Sequence, residues 1–285
     1  MDAAILQALE SIRCGFLNVV ACICTFFGEE VFLVALVAAF YYAIDKKRGR
    51  LLAMSVFTAA TVNGALKDLV RRPRPYKAGV VSRVDVDNFL VSTKDLDGSY
   101  SFPSGHSMNA GAAYTTLSVT TKKKGRIAIF VTLLVLVMLS RLYLGVHYPT
   151  DVLAGAAVGI LCAVLYAAVG ERNEKAALWV FFGMAIFLAL PLLYAESADS
   201  FKAAGGMLGA AVGFLLEDRF VKFDPPEKAW KGLLRVILGV AVLLGLRFLL
   251  KAIFPAHNLF QALRYFLTIF AGVCGVPALF KPLKL

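Results

Sequence analysis

The chain has 285 residues, 59% of them apolar, and a mean hydropathy of +0.74, far above an ordinary soluble domain. That composition excludes a water-soluble fold, because apolar runs of the roughly 17–25 residues that cross a bilayer recur along its whole length. The net charge of +11 does not indicate a nucleic-acid binder, since the basic residues fall in short clusters between apolar runs, as in the cytoplasmic loops of membrane proteins.

Hydropathy and helix breakers predict about ten spans, near residues 5–27, 30–44, 51–70, 104–121, 127–145, 150–169, 176–194, 203–216, 232–254 and 259–280. The expected fold class is all-α, a polytopic membrane helix bundle. The first run, Ile5–Gly28, carries Glu10 and Arg13 and lacks the basic start and small-residue cleavage site of a signal peptide, so it reads as retained structure. The eighth, with Gly205, Gly206, Gly209 and Gly213, is expected to be tilted, tightly packed or re-entrant. Cys14, Cys22, Cys24, Cys162 and Cys274 lie in apolar stretches with no CxxC and no histidines at zinc spacing, and read as small buried hydrophobes.

In a ten-span count the loops DKKRGR (45–50), KKKGR (122–126), GERNEK (170–175), EDRFVKFDPPEKAWK (217–231) and the tail KPLKL share one side, which should be the cytoplasm. The opposite side holds Gly28–Glu30, the long stretch Arg71–Phe102, the turn Gly145–Pro149 and two short loops. Only Arg71–Phe102 is strongly basic there, through Arg71, Arg72, Arg74 and Lys77. Either the site needs cations on that face or the count is off by one span.

Three clusters land on that face. KDLVRRPRP places Lys67 near the end of the third span and Arg74 between Pro73 and Pro75, which end the helix and stiffen the chain. PSGH offers Ser104 as an N-cap, Gly105 as a point of close backbone approach and His106 in the first helical turn, where free N–H groups favour an anion. SRLYLGVHYPTD brings Arg141, then His147, then Asp151 after Pro149. Taken singly, a basic cluster at a helix end is an interfacial anchor, SGH a helix cap and His-x-x-x-Asp a local hydrogen bond. Together they are the parts needed to hold a phosphoryl group: planar donors for its oxygens, one histidine to attack phosphorus and one to protonate the departing oxygen. His147 has a carboxylate four residues on, able to accept from one ring nitrogen and leave the other as nucleophile, whereas His106 has no sequence-near acid and fits the general acid. No metal and no cofactor is called for.

These residues resemble the signature of the type 2 phosphatidic acid phosphatase superfamily, the lipid phosphate phosphatases related to vanadium haloperoxidases. Its pattern is Lys-x6-Arg-Pro, then Pro-Ser-Gly-His, then Ser-Arg-x5-His-x3-Asp. Lys67, Arg74 and Pro75 match the first part, Pro103, Ser104, Gly105 and His106 the second, and Ser140, Arg141, His147 and Asp151 the third. The resemblance implies that Lys67, Arg74, Ser104, Gly105 and Arg141 bind phosphate, that His106 is the general acid, and that His147 is the nucleophile with Asp151 as its partner. It covers residues 5–170, the family's six-helix core, and divides the chain into that core (1–170) and about four additional C-terminal spans (171–285).

The expected function is removal of a terminal phosphate from a lipid phosphate or diphosphate at the extracytoplasmic face of a bacterial plasma membrane, with undecaprenyl diphosphate the first candidate. Phosphatidylglycerophosphate, phosphatidate and sphingoid-base phosphates follow, as do a phosphotransferase of the same chemistry and a non-enzymatic lipid-phosphate binder. The partners are therefore a lipid phosphate and membrane lipids, with no nucleic acid. The last spans are open to three readings: packing on the core, a homodimer surface, or one wall of a lateral entrance. His257 reads as a turn residue, Glu29 and Glu30 as helix-capping charges or a gate, and Asp85, Asp87, Asp95 and Asp97 as a solvated lid. Tyr76, Phe89, Tyr100, Phe102, Tyr143 and Tyr148 read as an aromatic belt.

Overall fold

The computed structural model describes residues 2–86, 91, 93–121, 123–195 and 197–285, and every regular element among them is helical. The protein is an all-helical, polytopic membrane bundle. Asp87 and Phe89 lie outside the described residues. Two compact units interleave along the chain, one formed by Met1–Leu33 with Ala65–Val164, the other by Val34–Gly64 with Leu165–Leu285.

The first unit contains α1 (Asp2–Ser11), α2 (Gly15–Phe26), the start of α3 (Glu30–Ala39), the end of α4 (Lys46–Val70), α5 (Gly105–Val119), α6 (Lys124–Tyr143) and most of α7 (Pro149–Arg172). The first apolar run is thus two helices, not the single span expected. Arg13 accounts for the break, since its guanidinium needs partners that lipid does not offer. Its Nε donates to the Tyr143 carbonyl at 3.0 Å and its Nη1 to the Ser82 carbonyl at 2.9 Å, while the Cys14 amide donates to the Tyr143 hydroxyl at 3.2 Å. Leu6 of α1 is buried with Val81 and Tyr148.

Helices α5 and α7 meet backbone to backbone through small residues. A Cβ on Gly155 would stand 2.5 Å from the Ser104 carbonyl oxygen, one on Gly111 2.8 Å from the Ala156 carbonyl oxygen, and one on Gly159 would overlap the Met108 carbonyl. This contact sets the N-terminus of α5 beside the first turn of α7, where the Ser104 amide donates to the Asp151 carbonyl at 3.0 Å. Gly145, at φ +72°, turns the chain from α6 toward α7 in a conformation that other residues adopt at a cost.

The second unit contains α8 (Glu174–Ala189), α9 (Ala198–Leu216), α10 (Ala229–Ile253), α11 (Asn258–Phe270) and α12 (Val276–Phe280), with π-helical turns at Phe40–Ile44, Glu217–Val221 and Ala271–Gly275. Its core is an aromatic cluster of Tyr41, Tyr42, Phe181, Phe214, Phe223 and Phe280. Buried Glu217 is ion-paired with Arg50 and, at 2.8 Å, with Lys46. Of the alternatives for the glycine-rich segment, tight packing is what forms: Gly205 and Gly209 of α9 lie against the carbonyls of Ala262 and Phe266 in α11.

By length and composition, five helical segments among the described residues can cross a membrane. They are α6, α7, Glu174–Leu193, α10 and Asn258–Phe280, and the α2–α3 pair, bent by 44°, makes a sixth if it is one span. Helices α4, α5 and α9 fall short of that standard. They carry Lys46, Arg50, Lys67 and Asp68, or only 15 residues, or Asp199 and Lys202, and much of each is buried against protein. A helix enclosed by other helices need not be apolar all round, which is why the apolar runs of the sequence outnumber the helices long and apolar enough to cross a membrane.

Candidate active site

The site is assembled wholly within the first unit, from the ends of α4 and α6, the starts of α5 and α7, and the turns between them. Arg74 follows α4 by four residues and is fully buried. Its Nε donates to the Ser99 carbonyl at 3.1 Å, and its Nη1 lies 3.0 Å from the Val146 carbonyl and 3.1 Å from His147 Nε2. Lys67 donates to the Ser99 hydroxyl at 3.0 Å, so Ser99 holds both cations. Ser104 caps α5, its hydroxyl oxygen accepting from the Ser107 amide at 3.4 Å, with Gly105 the first helical residue after it.

Arg141, in the last turn of α6, is buried. Its Nη1 donates to the Thr25 hydroxyl at 2.6 Å and its Nε has no hydrogen-bond partner among the described residues. A buried guanidinium N–H left open in this way is costly unless an anion completes it. His147 is buried in the turn between α6 and α7. Burial, then Arg74, Arg141, Lys67 and His106 in that order, holds its imidazole well below the usual histidine range. Those four side chains are thus the charged neighbours of His147.

Asp151 departs from expectation in one respect. Its Oδ2 stands 3.6 Å from His147 Nδ1, beyond hydrogen-bond distance. The carboxylate is occupied elsewhere: Arg72 Nη1 donates to Oδ1 at 2.7 Å, the Tyr148 amide to Oδ2 at 2.9 Å, and the Ser101 hydroxyl also to Oδ2. Four-residue spacing across the turn into α7 brings the two groups near each other without selecting between these donors. Arg72 also stacks 3.8 Å over the Tyr148 ring, so among the loop cations it acts behind the carboxylate while Arg74 faces the histidine.

Glu29, read from the sequence as a capping charge or a gate, lies 2.9 Å from His106 Nε2 through its Oε1. This is an ion-pair distance without hydrogen-bond alignment. Sequence reading had no signal for that pairing or for Thr25, which reach the site from distant parts of the chain, nor for the particular contacts that Arg72, Ser99 and Ser101 make beside the motifs. His257 caps α11, its Nδ1 accepting from the Leu259 amide at 3.3 Å, in keeping with a turn residue. Tyr143 and Tyr148 are tied into the first unit by the contacts above, and Tyr76 donates to Asp97 at 2.9 Å, so these three serve the loop's own structure. Among the described residues no three His, Cys, Asp or Glu side chains gather as metal ligands.

Residues 48–175 match the model of the PAP2 superfamily, and residues 201–285 that of the PAP2 superfamily phosphatase transmembrane extension. Over 187 residues the chain is 34% identical to phosphatidylglycerophosphatase B of Bacillus subtilis, a match covering 61% of this chain and 85% of that one. The chain belongs to the PAP2 superfamily. A second PAP2-type relative, decaprenylphosphoryl-5-phosphoribose phosphatase of Mycobacterium tuberculosis, is 29% identical over 153 residues, 53% of this chain and 78% of that one. Sphingosine-1-phosphate phosphatase 1 of Rattus norvegicus is 23% identical over 285 residues, 85% of this chain and 64% of that one. This PAP2 protein is accordingly an integral membrane phosphatase of the lipid phosphatase family, and the extension match falls on α9 to α12.

Proposed function

We propose that the protein removes the terminal phosphate of a membrane lipid through a phosphohistidine on His147. The observation that carries this reading is the junction of a buried, neutral-leaning imidazole with Arg74 at 3.1 Å from its Nε2 and a buried, incompletely bonded Arg141. In the first step the Nε2 lone pair attacks phosphorus as the bond to the leaving oxygen breaks, and His106 gives that oxygen its proton. Arg74, Arg141, Lys67 and the N-terminus of α5 at Ser104 and Gly105 take the charge that builds on the phosphoryl oxygens. Water then attacks the phosphohistidine, its proton passes to His106, and inorganic phosphate leaves with His147 restored.

The reading places this chemistry at the extracytoplasmic face of a bacterial plasma membrane, supported by the basic loops at 45–50, 170–175 and 217–231, all assigned to the other face. Undecaprenyl diphosphate suits an outward-facing site, since such a tailed carrier presents its head group there. Phosphatidylglycerophosphate is a second candidate, favoured by the 34% identity to an enzyme named for it.

The test is phosphate release by the purified protein in detergent with EDTA, offered undecaprenyl diphosphate, phosphatidylglycerophosphate, phosphatidate and sphingosine phosphate. Release is expected to survive the chelator, and His147→Ala and His106→Ala should each lower turnover at least roughly a hundredfold. Wild-type turnover in either variant would refute the mechanism, and the panel ranks the lipids.

A further inference from the structure

We infer that Glu29 is a positioning residue for the general acid His106, an inference that rests on the phosphatase reading above. A histidine that donates a proton must first hold one, and His106 sits among cations. Burial, then Arg141 and Lys67, act against a charge on its ring and hold it below the ordinary histidine value, and His147 is a further neighbour. Glu29 is the anionic group facing it, with Oε1 at 2.9 Å from Nε2. The carboxylate favours the imidazolium that the surrounding cations oppose.

The turn that delivers Glu29 is built against His106. A Cβ on Gly28 would lie 3.3 Å from the His106 Cβ and 2.8 Å from Val137 Cγ1, so only glycine lets the chain pass this closely. The Tyr114 hydroxyl donates to the Phe27 carbonyl at 2.7 Å, fixing the same turn from α5, the helix that carries His106. Glu29 is not needed as the charge that opens α3, because Glu30 occupies the first turn of that helix. Its backbone carbonyl accepts from the Leu33 amide at 3.0 Å, which leaves the side chain to the histidine.

With the Nε2 edge of the ring against the Glu29 carboxylate, the proton transferred to the leaving oxygen is the one on Nδ1. Glu29 keeps its charge throughout, and the ring returns to its protonated form when it takes the proton of the attacking water. Of the two histidines, His106 thus has a carboxylate at ion-pair distance, supplied by the turn between α2 and α3, whereas Asp151 stands 3.6 Å from His147.

The experiment compares wild type and Glu29→Gln on phosphatidate, whose alkoxide must be protonated as it leaves, and on p-nitrophenyl phosphate, whose phenolate need not be. Glu29→Gln is expected to lower kcat on phosphatidate by about 10- to 100-fold while changing p-nitrophenyl phosphate turnover by less than about threefold. Adding His106→Ala to Glu29→Gln should deepen the phosphatidate defect little beyond His106→Ala alone, because both act on one proton transfer. Equal losses on the two substrates, additive losses in the double variant, or no loss would overturn the inference. Should Glu29→Gln not fold, Glu29→Asp takes its place under the same criteria. A wild type that releases phosphate from no lipid in the panel refutes the phosphatase reading itself, and is told apart by the wild-type assay alone.

Discussion

His147 is where burial and charge act in the same direction. Buried beside Arg74, Arg141, Lys67 and His106, its imidazole is held well below the usual range, and it lies in a turn between α6 and α7. A depressed folded value keeps the ring neutral at neutral pH, so the lone pair on Nε2 is available to phosphorus. Proton uptake removes that lone pair, and it begins only at a pH below the ordinary histidine value of about 6.5. The acid limb of kcat/KM, which reports the free enzyme, is therefore expected below about pH 6.5. Arg74→Gln removes one of the opposing cations and should move that limb upward while it lowers activity. A wild-type limb at or above the ordinary value would mean that His147 is solvated or stabilised as imidazolium by Asp151, against the 3.6 Å separation seen here. The residues of this site were legible in the sequence because each cluster is local: Lys67 with Arg74, Ser104 with His106, and His147 with Asp151. Glu29 and Arg72 were not, since what they do depends on tertiary contacts between distant turns.

Helix existence was legible from apolar runs, but two features depend on what lies beside each helix. The first run breaks at Arg13, whose partners Tyr143 and Ser82 come from elsewhere in the chain. The polarity of α5 makes sense only with α7 against it. That contact carries the site, because it sets the Ser104 cap beside Asp151. Gly159→Leu puts a side chain where the Met108 carbonyl already lies, so α5 and α7 must separate. A cost of about 1–3 kcal/mol or more is expected, seen as a lower melting temperature in detergent together with loss of turnover. Gly183→Ala on α8 is the control, since a Cβ there meets nothing within 4 Å. It should leave activity intact and be neutral or stabilising by up to about 1 kcal/mol. Equal effects of the two changes would mean that the close approach of α5 and α7 does not hold the site together.

At the scale of the molecule, charge argues for one orientation. In the second unit, Lys46 and Arg50 at the start of α4 meet Glu217 in the π-helical turn after α9, and Arg235 donates to the carbonyls of Asp224 and Leu285. The basic loop at 45–50, the stretch beginning at 217 and the final residues thus converge at one end of that unit. In the first unit, the opposite set converges: the break at Arg13, the loop around Ser82 and Ser99, and the turn before Pro149. On the proposed orientation, the basic stretch after α4 is the apparent exception to the positive-inside rule, and its contacts account for it. Arg72 is paired with Asp151 at 2.7 Å, Arg83 with Asp97 at 2.7 Å and Asp85 at 2.9 Å, and Arg74 faces His147, so these cations serve the loop and the site. On the proposed orientation, the basic clusters away from the site are those that set topology. Cysteine accessibility reads the result directly. In a chain whose five native cysteines are replaced by alanine, Asp85→Cys should react with a membrane-impermeant maleimide on intact cells, and Glu171→Cys only after permeabilisation. The reverse pattern would put His147 on the cytoplasmic face, where a lipid carrier dephosphorylated outside the cell is no longer a substrate and phosphatidylglycerophosphate becomes the leading candidate.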